Sequence, residues 1–214
     1  MSGLFRNYRG VRGLMVAELQ EDTLETLTYG TPIRFAGVKE IGEEPEESAA
    51  TEYYDDQPAI VIDAEGEDKY KLVTSVLEEK VRAVIEGRKF DEKSGAYFGT
   101  PKQKPYVAIG FIGTDTDGQE EYVWVYKTKL SGGGASRKTK DNGTDSSGLE
   151  WEATSIYTSH KFKGASTAGD APLKFYKLKA GGTVTEQKFF EKVYIPGEAA
   201  AMAAARAKKE HAEA

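Results

Sequence analysis

The stretches Tyr106-Val-Ala-Ile-Gly-Phe-Ile112 and Tyr122-Val-Trp-Val-Tyr126 indicate the fold of this chain most clearly. Both are short and rich in β-branched and aromatic residues, which favour strands. The segment between them contains Thr114-Asp-Thr-Asp-Gly118, and Asp-Gly is typical of a hairpin turn. Because successive positions are apolar, both faces of each strand should be buried. The sequence therefore predicts a hairpin in the middle of a packed β structure.

Other segments with strand-like patterns lie on both sides of this hairpin and bring the total to roughly nine or ten strands. They are residues 14–19, 33–41, 49–54, 59–63, 70–74, 150–163, 173–178 and 188–195. This pattern predicts a mainly β chain, either a β-sandwich or a partial barrel.

One short helix is predicted between two of these strands. Ser75-Val-Leu-Glu78 has the form of a capping box, with Ser75 as the N-cap residue. Apolar residues follow at helical spacing, and Gly87 stands where a C-terminal glycine is common. We therefore expect a helix over residues 76–86 that packs on the side of the sheet through Leu77, Val81, Val84 and Ile85.

Aromatic side chains are concentrated in the predicted strands, among Val and Ile rather than Lys and Arg. This setting favours packing in the core over stacking on a ligand. The aromatic core candidates are Tyr106, Phe111, Tyr122, Trp124, Tyr126 and Trp151.

The composition suits one large soluble domain with extensions: 214 residues, 39% hydrophobic and 30% charged. We expect an N-terminal arm over residues 1–12, a β-sandwich domain over 13–196 with a flexible Gly-rich loop at 131–148, and an Ala-rich helical extension over 197–214. No apolar run is long enough to suggest a membrane span or a signal peptide.

The sequence offers little support for catalysis, metal binding or a cofactor, and we expect none of them. There is no cysteine, and the two histidines, His160 and His211, form no metal-binding spacing. No Gly-x-Ser-x-Gly elbow or phosphate-binding loop is present. The short acidic loops do not complete a calcium-binding pattern.

Acidic residues dominate the charge of the chain, whose net charge is −6. A stretch from Glu40 to Asp68 holds twelve carboxylates and no Lys or Arg. Gripping nucleic acid requires clustered basic residues, so the sequence argues against DNA wrapping. It is compatible with a surface along which DNA slides.

The order of several segments resembles the major tail protein family of long-tailed bacteriophages. Phe35-Ala-Gly-Val-Lys-Glu-Ile41 leads into Glu44-Pro45-Glu46 and then Tyr53-Tyr54-Asp55-Asp56, which is similar to a strand, turn and strand of that family. Lys104-Pro-Tyr-Val-Ala-Ile-Gly-Phe111 and Glu121-Tyr-Val-Trp-Val-Tyr-Lys127 resemble its central hairpin. Thr139-Lys140 before Leu149-Glu-Trp-Glu152 resembles its next strand.

The resemblance covers about residues 30–165 and implies a tail-tube β-sandwich with a helix at its side. In this family six copies form a ring, neighbouring sheets join to line a channel, and rings stack around a tape-measure protein. The implied partners are further copies of the chain, the tape-measure protein, and tail terminator and tip proteins. The resemblance also implies that DNA passes without specific binding, and that the protein is located in the virion after assembly in the host cytoplasm.

Two sets of charged residues are candidates for these roles. For ring stacking we select the acidic loop and the N-terminal arginines: Glu43, Glu44, Glu46, Glu47, Asp55, Asp56, Arg6, Arg9 and Arg12. For an acidic lumen wall that repels phosphates we select Asp63, Glu65, Glu67 and Asp68.

A different function remains open. The runner-up is a carbohydrate-binding or adhesion β-sandwich that uses the aromatic residues and the loop at 131–148. An all-β enzyme is a weaker third candidate, because no nucleophile and base are recognisable.

Overall fold

A computed structural model describes residues 6–54, 57–135 and 148–197, with only the backbone described at 47–54 and 58–64. Asp55 and Asp56, most of the predicted loop at 131–148 and the predicted extension after Gly197 lie outside the described residues.

Strands make up most of the regular structure, so the prediction of a mainly β fold is confirmed. The strands are β1 (Tyr8–Asp22), β2 (Leu27–Tyr29), β3 (Ile33–Arg34), β4 (Val38–Glu44), β5 (Glu47–Tyr54), β6 (Gln57–Glu65), β7 (Asp68–Thr74), β8 (Phe90–Asp91), β9 (Ala96–Tyr97), β10 (Val107–Asp115), β11 (Glu120–Gly132), β12 (Leu149–Ser155), β13 (Phe162–Ser166), β14 (Gly169–Ala171) and β15 (Phe175–Lys179). The helices are α1 (Glu79–Glu86) and α2 (Glu186–Phe190).

The main sheet is antiparallel and runs in the order β2-β1-β10-β11-β12-β7-β4. Strand β11 connects its two halves: its first half pairs with β15, and its second half pairs with β12. Strand β4 approaches β1 at the far side, so the sheet curves around an enclosed core. Three separate two-stranded ribbons, β5-β6, β8-β9 and β13-β14, lie outside this sheet.

The predicted central hairpin is confirmed as β10 and β11. Their register pairs Ile109 with Val125 and Ile112 with Tyr122, and Gly118 in the turn has a φ of 79°. Both faces are buried, as expected. Ile109 and Phe111 belong to a first core, whereas Ile112 and Trp124 belong to a second core on the other face. The hairpin is therefore the layer between two cores.

The first core is covered by the predicted helix, but the helix begins later than expected. α1 starts at Glu79, and Leu77 precedes it, although Leu77 is still buried in the first core with Val81 and Ile85. The N-cap residue is Glu78 rather than Ser75, whose hydroxyl instead accepts a hydrogen bond from the N–H of Gly37 (3.0 Å) and so joins the end of β7 to the segment before β4. Val84 is half-buried rather than buried.

The glycine at the end of this helix is confirmed. Gly87 adopts a φ of 62° in the left-handed region and donates its N–H to the carbonyl of Val84. A Cβ atom at Gly87 would lie 1.9 Å from the carbonyl oxygen of Gln103. Both the conformation and the close approach of the following loop therefore require glycine.

The prediction of a strand over residues 188–195 is wrong, because this part of the chain packs on the second core as a helix and a turn. This segment contains helix α2, whose N-cap Thr185 accepts a hydrogen bond from the N–H of Lys188. Phe189 and Val193 are buried four residues apart, a spacing that fits a helical turn as well as an apolar run. The indole N–H of Trp124 donates to the carbonyl of Phe189 (3.0 Å), and the hydroxyl of Tyr126 donates to that of Tyr194 (2.8 Å).

The first strand begins within the range predicted as an N-terminal arm. Strand β1 begins at Tyr8, which pairs with Asp115, and Arg12 pairs with Ile112. Residues 8–12 therefore belong to the sheet of their own chain, because backbone pairing with β10 continues through them. The predicted strand at 33–41 is also divided, since β3 pairs with β1 and β4 pairs with β7.

Candidate assembly surfaces

The acidic stretch forms a two-stranded ribbon that leaves the main sheet. Strands β4 and β7 pair as far as Glu44 and Lys69, and β5 and β6 continue the pairing from Glu47 opposite Glu65 to Tyr54 opposite Gln57. Among the elements that the structure describes, β5 and β6 pack mainly on each other. We call residues 47–65 the projecting hairpin.

Two short connecting segments join the projecting hairpin to the sheet, and we call them together the hinge. On one side the chain passes through Pro45 and Glu46, and on the other through Gly66 and Glu67. The N–H of Gly66 donates to the carbonyl of Glu46 (2.8 Å), and a Cβ atom at Gly66 would meet the Glu46 side chain at 3.2 Å. The two sides of the hinge are thus in direct contact.

Four of the candidate stacking carboxylates lie at the base of the projecting hairpin: Glu43, Glu44, Glu46 and Glu47. Glu43 and Glu44 accept hydrogen bonds from the ammonium groups of Lys177 (2.8 Å) and Lys71 (2.6 Å). Glu46 lies 3.9 Å from Lys69. These carboxylates are substantially exposed and can be reached by a partner. Only the backbone of Glu47 is described, within β5.

The candidate arginines are engaged mainly within their own chain. Arg6 lies 3.1 Å from Asp117 and 3.6 Å from Asp115 at the turn of the central hairpin. Arg12 contacts Glu120 (2.9 Å) and Glu186 (2.8 Å), whose hydrogen bonds raise its pKa. Arg12 therefore fastens α2 to the sheet, and Arg9 is exposed on β1.

The lumen candidates do not form a common wall. Asp68 is buried and pairs with the ammonium group of Lys174 (3.0 Å), which corrects its selection as a lumen residue. Glu65 accepts a hydrogen bond from the Tyr157 hydroxyl at the hinge. Glu67 is exposed, and Asp63 is described only as backbone within β6.

The outward side of β11, β12, β7 and β4 is a better candidate for a channel wall than the four predicted lumen residues. The burial of residues alternates along β12 and β7, so one face covers the first core and the other faces outward. We call this outward side the charged face; its ionisable members are Glu40, Glu44, Lys69, Lys71, Lys129, Glu150 and Glu152. Charge patterns in the sequence did not reveal this face, because its members come from four strands whose order in the sheet no single segment encodes.

Strand β15 forms an open edge of the sheet. The N–H of Tyr126 donates to the carbonyl of Lys174, and that of Ala180 donates to Glu120 (both 2.8 Å), which fixes the hydrogen-bonding register with β11. In an antiparallel pair the alternate residues turn their backbone groups away from the partner strand. The amides and carbonyls of Phe175, Lys177 and Lys179 therefore face away from β11, and the described residues place no further strand beside them.

The predicted core residues are mostly buried. Phe111, Tyr122, Trp124, Tyr126 and Trp151 are each at most 6% exposed. Tyr106 is the exception. Its ring is half-buried at the start of β10, with the ammonium groups of Lys129 and Lys127 at 4.6 and 5.3 Å from its centroid.

No protein-family model matches this sequence, and the search of curated proteins gives no match either. In the described residues no helix is long and apolar enough to cross a membrane. Residues 6–54, 57–135 and 148–197 contain no group of three His, Asp or Glu placed to hold a metal ion.

Proposed function

We propose that this chain is the structural subunit of a phage tail tube, in which rings of subunits, hexameric in the family it resembles, stack around a channel for DNA. The observation that carries this proposal is the projecting hairpin. It leaves the main sheet and packs mainly on itself among the described elements. A hairpin that extends from the sheet in this way can contact a neighbouring copy of the chain.

The composition of the projecting hairpin supports a partner. Ile60, Val61 and Ile62 are consecutive in β6, whereas an isolated two-stranded ribbon in water is marginally stable and gains little from such residues. We expect this apolar segment of β6 to meet an apolar surface on the next ring. The acidic residues at the base of the hairpin would then meet a less acidic surface on that ring.

The open edge of β15 supports closure into a ring. Unpaired strand edges invite pairing with other chains, and a head-to-tail contact with a closing rotation produces a ring without free edges. Lys177 and Lys179 lie on this edge and would limit uncontrolled pairing before assembly. Permanent interfaces of this kind bury roughly 2,000 Å² or more.

The charged face is our candidate for the channel wall. It carries four carboxylates and three ammonium groups on adjacent strands, so a passing phosphate meets repulsion and attraction at short intervals. Such a wall offers no cluster of Lys and Arg to hold the backbone of DNA. Tape-measure, terminator and tip proteins remain the partners that the resemblance implies.

The carbohydrate-binding alternative has less support in this structure. Trp124, Tyr126 and Trp151 are buried, so their rings are not available to stack on a sugar. A glycan array with the purified protein separates the two functions, since specific sugar binding would favour the alternative.

Removing the projecting hairpin tests the proposal directly. We expect the full chain to form tubes, and a chain in which Gly-Gly replaces residues 47–65 to keep its fold and form rings that do not stack. Negative-stain microscopy and light scattering distinguish these states, and circular dichroism checks the fold. Tubes of normal length from the shortened chain would contradict the proposed role of the hairpin.

A further inference from the structure

Lys174 is a buried cation at the place where three segments of the chain meet. It immediately precedes the open-edge strand β15, and only 7% of its surface is exposed. Its backbone carbonyl accepts a hydrogen bond from Tyr126 on β11. Its side chain, by contrast, reaches away from the strand toward the hinge of the projecting hairpin.

The ammonium group of Lys174 contacts both the backbone and a side chain of that hinge. It donates to the carbonyl of Gly66 (2.8 Å) and to the carboxylate of Asp68 (3.0 Å). It also lies 4.8 Å from the centroid of the Tyr157 ring, whose hydroxyl donates to Glu65 at the end of β6. One side of the hinge is thus held from residue 65 to residue 68.

The opposite side of the hinge is held through Gly66. Its N–H donates to the carbonyl of Glu46, so the residue whose carbonyl binds Lys174 also bonds, through its own N–H, to the segment that leads into β5. Since the two strands of the projecting hairpin start from these residues, the position of the Lys174 ammonium group constrains both strands.

We infer that Lys174 is a positioning residue that sets the direction of the projecting hairpin relative to strand β15. Buried ion pairs often contribute little net stability, and in some proteins they select one arrangement of the groups around them, which is the role inferred for Lys174. The consequence of this role for assembly rests on the proposed function. A neighbour that pairs with the edge of β15 would fix the position of Lys174, and Lys174 would in turn orient the hairpin toward the next ring through Gly66.

The chain offers a matched control for this inference. Lys127 and Asp22 form a second ion pair of low exposure (2.6 Å), and their side chains bond to each other and to the N–H groups of Ser159 and His160, not to residues 65–68. We compare the variant Asp68→Asn, Lys174→Met with the variant Asp22→Asn, Lys127→Met. Each removes both charges of one pair, so neither leaves an unpaired buried charge.

Spin labels measure the direction of the hairpin without reference to assembly. The chain lacks cysteine, so Glu52→Cys in β5 and Lys129→Cys in β11 provide the two labelled positions. In protein kept dilute enough to be unassembled, electron–electron resonance gives the distribution of distances between the labels. Circular dichroism and thermal unfolding check that each variant is folded.

We expect a single narrow distribution in the parent and in the Asp22/Lys127 control, and a distribution at least twice as wide in the Asp68/Lys174 variant. An unchanged width in a folded Asp68/Lys174 variant would overturn the inference, and so would equal broadening in the control. If the parent chain forms no tubes, the proposed function is contradicted, but the comparison of the distance distributions still tests the role of Lys174.

Discussion

Gly110 lies against the face of Trp124 in the middle of the central hairpin. A Cβ atom at this position would lie 2.7 Å from a ring carbon of Trp124, which is completely buried. Neighbouring strands and the C-terminal segment enclose the ring, so it cannot move away at low cost. The glycine therefore makes room for the largest side chain of the second core.

Replacing this glycine tests the packing of the second core. We expect Gly110→Ala to lower the free energy of unfolding by about 1–3 kcal/mol, the usual range for overpacking. Gly134→Ala is the control, because nothing lies within 4 Å of a Cβ atom there. Urea unfolding followed by tryptophan fluorescence measures both, and equal effects would show that the contact with Trp124 is unimportant.

Glu86 is a second residue whose surroundings determine a measurable property. Burial opposes ionisation, but hydrogen bonds from Tyr97 and Lys102, with the charges of Lys102 and Arg88, lower its pKa below the ordinary value of 4.5. Since the folded pKa lies below the unfolded one, the stabilisation is complete above pH 4.5 and is lost as the pH falls through the folded value.

The change Glu86→Gln should therefore weaken the protein at pH 7 by about 1–3 kcal/mol and have less effect in acid. Chemical unfolding at pH 7 and at a pH below the folded pKa measures this difference. Glu92→Gln, which removes an exposed ion pair with Lys80, should change little at either pH. A loss of stability in Glu86→Gln that does not depend on pH would contradict this explanation.

Sequence patterns predicted residues whose role depends on their neighbours in the chain better than buried charged residues whose partners are distant in the sequence. Phe111, Trp124 and Gly87 were predicted because strand alternation and helix endings depend on nearby residues. Lys174 and Glu86 were not, since their partners come from distant segments: Lys174 and Asp68 are 106 positions apart. No local pattern shows that two charged residues will be buried together.

Helix α2 shows how an element can be predicted with the wrong type. Its apolar residues, Phe189, Phe190 and Val193, were read as a strand because the segment is short and the two spacings overlap. Thr185 gave a usable signal, since Thr at an N-cap position is common before a helix. The central hairpin was predicted correctly because a turn signal joined two strongly β stretches.

The contact of α2 with the second core leads to a prediction at this scale. Phe189 is completely buried and its carbonyl accepts the indole N–H of Trp124. We expect Phe189→Ala to cost about 3–5 kcal/mol, as for other large aromatic residues in a core. The exposed Glu191→Ala is the control. Thermal unfolding measures both, and a small effect of Phe189→Ala would mean that α2 is detachable.

The acidic base of the projecting hairpin allows a test of stacking. If this region makes the proposed ring-to-ring contact, reversing Glu43, Glu44, Glu46 and Glu47 to Lys should prevent tubes from forming while rings persist, because the charge at that contact is inverted. Reversing Glu150 and Glu152 on the charged face is the control and should leave stacking intact. Sedimentation velocity measures assembly, and normal tubes from the fourfold reversal would count against stacking through this region.

For the whole molecule, sequence patterns were sufficient for the fold class but not for the surfaces. Alternation and turn residues predict strands, and enough strands in one chain predict a β-sandwich or partial barrel. The open edge of β15 and the charged face depend on which strands are neighbours, and strand order is not encoded in any one segment. The lumen candidates were wrong at Asp68 for this reason, because its neighbour Lys174 comes from a distant strand.

Electron cryomicroscopy of the purified full chain at high concentration is the decisive experiment for the proposed tail-tube role. We expect hollow tubes of stacked rings, with β15 next to a neighbouring subunit, the charged face lining the channel, and the projecting hairpin in contact with the next ring. A protein that stays monomeric, or tubes whose projecting hairpins extend into solvent, would contradict it.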